Sequence, residues 1–159
     1  MDCDWLKRKA KMKQTIDHSG YSVKNIKQFN GMEGKGFNVT LYYKGVKIGE
    51  VRNAGDGGCN FYYIPNPDMK KLVNTAKDVI GEGFEVEDQF ISHIIDDTLN
   101  DKKFRKYCKT QVLFQVKGDN NNVYRTFNVK YTPEFGEKIR NDYKTKGFEI
   151  VEIINELYA

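Results

Sequence analysis

Arginine is scarce in this chain: of its 26 basic residues, 21 are lysine and 5 are arginine. Bidentate reading of guanine or phosphate relies on the guanidinium fork, so sequence-specific recognition of DNA is not expected. Cysteine is sparse too. Cys3, Cys59 and Cys108 are odd in number and lack CxxC spacing, which argues against a disulfide framework or a zinc knuckle and for free thiols in a reducing compartment. No apolar run approaches the roughly 20 residues of a membrane span, and no apolar signal region follows the basic N-terminus. The expectation is a cytoplasmic protein with no membrane role, no cofactor and no metal.

What is present suits one folded domain. A chain of 159 residues can bury roughly 70% of the surface that its unfolded form exposes. Its 39% hydrophobic and 13% aromatic content supplies a core, and 30% charged residues argue against disorder as well as against a membrane protein. The net charge is +4. Lysine, asparagine, isoleucine, tyrosine and phenylalanine are all favoured by AT-rich coding, so the lysine excess is a weak argument for nucleic acid.

Apolar periodicity organises the chain. Residues 4–17 read as a short amphipathic helix, with Trp5, Met12 and Ile16 opposite Lys7, Arg8, Lys9, Lys11 and Lys13. Tyr21 to Phe29 is a weak strand whose phase breaks at Ile26. Phe37, Val39 and Leu41 then alternate with polar positions, Lys44-Gly45 occupies a turn, and Val46 and Ile48 resume, which is the pattern of a β-hairpin. A third strand is expected over 59–64.

Asn66-Pro67-Asp68 reads as cap, proline and acid opening a helix to about Ile80, with a second helix from about Glu85 to Tyr107. Val112 to Val116 and Val123 to Tyr131 predict another hairpin, Thr132-Pro133-Glu134 another helix start, and 148–154 a last buried strand. The fold expected is a single α+β domain over 1–159, built of two antiparallel hairpin or meander units with helices on one face of a mixed sheet. A pseudo-repeat of 36–80 and 111–154 is conceivable, although shared capping chemistry explains the likeness as well.

Catalytic patterns are weak. Gly55-Asp56-Gly57-Gly58 lacks the GKS or GKT ending of a phosphate loop and reads as a turn. Cys59 as nucleophile would need activation by His18 or His93, neither close in sequence. His93 and Asp97 stand at i, i+4 beside Asp96, a spacing that serves an intrahelical contact more often than a metal. The richer combination is aromatic and basic. Consecutive Tyr42-Tyr43 and Tyr62-Tyr63 must put one ring on each face of a sheet, and exposed tyrosines suit protein interfaces or stacked bases.

The stretch from Phe29 through Gly31, Gly34, Gly36 and Tyr42 to Gly57-Gly58, together with the ending Ile153-Ile154-Asn155-Glu156, resembles segments of small bacteriophage accessory proteins. That resemblance implies action in the host cytoplasm on host machinery, including immunity systems. The function expected is therefore non-enzymatic binding and inhibition of a host protein, in the manner of anti-CRISPR counter-defence proteins. The expected contacts are Tyr42, Tyr43, Lys44, Lys47, Arg52, Tyr62 and Tyr63. Alternatives are an RNA or single-stranded DNA module using Lys7, Arg8, Lys9, Lys11 and Lys13 with those rings, or a sponge for a signalling nucleotide.

Overall fold

Alternation of apolar and polar side chains builds the first sheet. In the computed structural model, which describes residues 14–120 and 123–158, β1 (Tyr21–Gly31), β2 (Gly34–Tyr43), β3 (Val46–Asn53) and β4 (Phe61–Tyr63) pair antiparallel in that order. The β2–β3 turn is the expected one: Lys44 and Gly45 both have positive φ, 48° and 81°, as a two-residue hairpin loop requires. The broken phase near Ile26 is a β-bulge between Lys24 and Lys27, with Asn25 at φ 54° absorbing the kink. The described part of the helix expected over 4–17 is residues 14–17, which are not helical.

One face of this sheet is apolar. Tyr21, Val23, Val39, Leu41 and Val51 are buried together with Leu72 and Ala76 of α1 (Asn66–Ile80) and Phe90, Ile91 and Ile94 of α2 (Val86–Cys108). Each of the valine, leucine, isoleucine and phenylalanine side chains contributes about 1.5–3 kcal/mol on burial, so the helices are held by this stripe more than by intrinsic propensity. The start of α1 differs from expectation. Pro65 precedes the first turn, its carbonyl accepts from the Met69 amide at 2.9 Å, and no side chain caps the helix.

The chain divides into two compact units, one comprising 14–99 and the other including 100–158. The second contains β5 (Val112–Val116), β6 (Arg125–Phe127), α3 (Pro133–Thr145), β7 (Ile150–Ile153) and a short 3-10 turn, Ile154–Leu157. Its sheet order is β6-β5-β7, with all pairings antiparallel. Every residue of β5 is buried, and Phe114 stacks on Phe127 at 5.3 Å and meets Tyr143 edge-on. Thr132 caps α3 as expected, accepting from the Phe135 amide at 3.2 Å.

The α+β class is the one observed, and its detail differs from the expectation. There are two antiparallel sheets in place of one mixed sheet: two-residue turns join β1 to β2 and β2 to β3, the loop 54–60 leads back to β4, and α3 returns the chain antiparallel to β5. The return strand expected over 123–131 is only Arg125–Phe127, its flanks Val123 and Val129 being exposed.

Candidate binding face of the first sheet

The register of the first sheet sets its solvent face. Paired residues point to the same side, so three rows run across the strands. Lys27, Asn38, Arg52 and Phe61 make one row; Lys24, Thr40, Glu50 and Tyr63 make the next; Ser22, Tyr42 and Lys47 make the third. Lysines stand on β1, a charged pair on β3 and aromatic rings on the edge strand β4. Phe61 and Tyr63 are 55% and 58% exposed, far more than a ring needs in order to pack on a sheet.

Diagonal neighbours on this face interact. The Lys24 ammonium lies 4.7 Å from the centroid of the Tyr42 ring, and the Arg52 guanidinium lies 5.0 Å from that of Tyr63. Arg52 also donates to Glu50 at 2.8 Å. That hydrogen bond, with the positive charge behind it, holds the Glu50 carboxyl below the usual range; Lys47 and Lys27 act in the same direction. Beneath the charges, Thr40 is nearly covered and accepts from the Asn25 amide at 3.4 Å.

The contact residues expected from sequence are thus divided. Tyr42, Lys47, Arg52 and Tyr63 share the outer face, and Lys24, Lys27 and Phe61 join them. Tyr43 turns inward at the hairpin end, where its ring is 4.8 Å from that of Tyr21 and 3.9 Å from the Lys71 ammonium, with Lys44 at 5.4 Å. The bond from Lys71 lowers the Tyr43 phenol from its ordinary value. Tyr62 faces inward as well, donating to Asp88 Oδ1 at 2.5 Å and accepting from the Asn60 amide at 3.3 Å. Burial, and then the bond to Asp88, push that phenol well above its ordinary range. Lys7, Arg8, Lys9, Lys11 and Lys13 lie outside the described residues.

No family model, curated protein or solved structure matches the chain.

The catalytic alternatives acquire structural explanations. Asp97 is buried on α2 and accepts at Oδ2 from the Thr15 amide (3.0 Å), the Thr15 hydroxyl (3.2 Å) and His18 Nε2 (2.7 Å). Because the carboxylate only accepts, Thr15 donates to it and offers its oxygen to His93 Nδ1, 3.0 Å away. The network pins residues 15–18 to α2. His93 and Asp96 border an open polar groove of about 470 Å³, with Lys35, Asn53 and Asn60 opposite. Among the described residues no three His, Cys, Asp or Glu side chains converge to hold a metal ion.

The glycine-rich turn is internally bonded. Asn53 Oδ1 accepts from the Gly55 amide at 2.8 Å and Asp56 Oδ1 from the Gly58 amide at 3.0 Å, while the Glu33 amide donates to the Gly55 carbonyl at 2.9 Å. Two of the turn's donors already have acceptors, and Asp56 adds a negative charge, so it does not make a phosphate cradle. No helix of the described residues is long and apolar enough to cross a membrane.

Proposed function

We propose that this chain is a non-enzymatic phage accessory protein that binds a host protein through the outer face of its first sheet and inhibits it by occupying a surface. The resemblance of 29–58 to phage accessory proteins supplies the setting, and the exposed rings of Phe61 and Tyr63 beside Arg52 supply the contact chemistry. Tyrosine and arginine are residue types that dominate protein interfaces.

The observation carrying this reading over nucleic acid is the cover on the rings. A stacking platform needs an open ring face for each base, whereas Lys24 and Arg52 already lie over Tyr42 and Tyr63, two of the three rings in these rows, and leave Phe61 open. The lysines of the face and the exposed ring of Phe61 favour RNA or single-stranded DNA instead. Affinity capture from host lysate, with and without nuclease, separates the two. A host protein retained after nuclease, lost from Phe61→Ala and Tyr63→Ala and kept by Tyr62→Phe, is the expected result. Capture that vanishes with nuclease would overturn the reading.

A further inference from the structure

We infer that the segment docking on the outer face is an acidic stretch of protein, and that Glu50 occupies the place of one of its carboxylates until it arrives. The inference rests on the reading of that face as the contact surface and names the chemistry of the partner.

Charge comes first. The three rows carry Lys24, Lys27, Lys47 and Arg52 against Glu50 alone, four positive charges less one negative, or +3. Among the described residues none of the three lysines forms an ion pair, so the surplus has no carboxylate in direct contact with it. A partner that matches this field brings carboxylates, and its rate of association responds most to the outer lysines.

Glu50 shows where one of those carboxylates belongs. Its Oε2 sits 2.8 Å from Arg52 Nη2, across the strand from Tyr63. Lys47 and Lys27 also hold its charge in place from β3 and β1. Both members of the Glu50–Arg52 pair are about half exposed, 43% and 52%, so exchange for an incoming carboxylate costs little. Arg52 then keeps its position on the Tyr63 ring, and the rings of Tyr63 and Phe61 take the apolar part of the segment. A phosphate chain would satisfy the same cations, but Lys24 and Arg52 would have to leave Tyr42 and Tyr63 before bases could stack on those two rings, which leaves Phe61 alone open to a base.

The charge of Glu50 therefore opposes binding, and its removal should tighten it. The test uses the full chain and a labelled peptide of alternating glutamate and tyrosine, with labelled oligo(dT) as comparison, by fluorescence anisotropy at low and high salt. Glu50→Gln is expected to bind the peptide about two- to fivefold tighter than wild type, the range that an exposed ion pair allows. Lys27→Gln with Lys47→Gln should bind it more weakly, and added salt should loosen all three. Glu50→Ala repeats the measurement with a second variant, and thermal midpoints verify that each is folded.

Unchanged or weaker peptide binding by both Glu50 variants overturns the inference. Tighter binding of oligo(dT) than of peptide overturns it in favour of nucleic acid. The host partner keeps the two claims apart: if Tyr63→Ala releases that partner but Glu50→Gln does not tighten it, the contact face stands and the acidic occupant does not. If Tyr63→Ala leaves the partner bound, the contact face itself is wrong.

Discussion

Tyr62→Phe is the substitution that best separates scaffold from contact surface, since Tyr62 and Tyr63 are neighbours in sequence and face opposite ways. The change deletes a single oxygen. That oxygen donates to the Asp88 carboxylate at 2.5 Å and accepts a longer bond from Asn60 at 3.3 Å. A hydrogen bond to a charged group has a net value of about 1.5–3 kcal/mol, so the variant should lose about 2 kcal/mol. For a chain of this size each kcal/mol moves the midpoint by about 2–4 °C, which puts the expected drop at about 4–8 °C. Calorimetry and urea titration measure it.

The alkaline limb supplies a second readout of the same substitution. In the folded protein the Tyr62 phenol keeps its proton beyond the ordinary value of 10.0 at which an unfolded tyrosine loses it. A raised native pKa gives stability that is complete below the unfolded value and is lost as pH rises above it toward the native one. The gap between wild type and Tyr62→Phe should therefore be constant near neutrality and narrow above pH 10. A variant as stable as wild type at neutral pH would refute the reasoning. So would a folded variant that no longer captures the host partner.

Three further outcomes follow from the packing. Gly31→Ala would place its Cβ against the carbonyl oxygen of Gly55 and 2.6 Å from its Cα, backbone that cannot swing aside. A loss of about 1–3 kcal/mol, read as a lower urea midpoint at constant slope, is expected. Asn155→Ala removes the buried acceptor of the Leu113 amide (2.9 Å) and the donor to the Gln111 carbonyl (2.8 Å). It should cost about 1–3 kcal/mol and speed hydrogen exchange at the Leu113 amide. Burial raises the Cys108 thiol to about 11, whereas Cys59 is exposed. Alkylation at neutral pH, followed by peptide mapping, should mark Cys59 well before Cys108, and equal rates would contradict that environment.

Much of the fold was legible because its signals are local. The Lys44-Gly45 turn, the Thr132-Pro133 helix start and the apolar stripe from Val86 to Ile95 on α2 each depend on residues a few positions apart. The functional surface was less legible. Lys24, Lys27 and Phe61 were not among the expected contacts, since each joins the face through a partner on another strand. The Thr15–Asp97 bond, spanning 82 positions, leaves no pattern in sequence at all. The His93–Asp97 spacing suggested a mutual contact, whereas each residue is hydrogen-bonded to Thr15.

Parity explains why the face escaped a reading by alternation. Lys47 lies at an odd position and Glu50 and Arg52 at even ones, yet all three point outward. Strict antiparallel pairing from the hairpin turn would have set Tyr42 against Lys47, Thr40 against Gly49 and Asn38 against Val51, turning Val51 to solvent and both charges into the core. The register instead shifts between Leu41 and Tyr42, so Leu41 meets Gly49, Thr40 meets Glu50 and Asn38 meets Arg52. Because one step of slip reverses every side chain beyond it, this bulge restores Val51 to the core and delivers the charged pair to the surface. Gly49 makes the shift feasible: its φ is 151°, and a Cβ there would press on the Tyr63 carbonyl of the edge strand. The trace in sequence is the apolar spacing of Val46, Ile48 and Val51, two residues and then three, across a glycine. The device that corrects the core is thus also the one that assembles Lys47, Glu50, Arg52 and Tyr63 on one face.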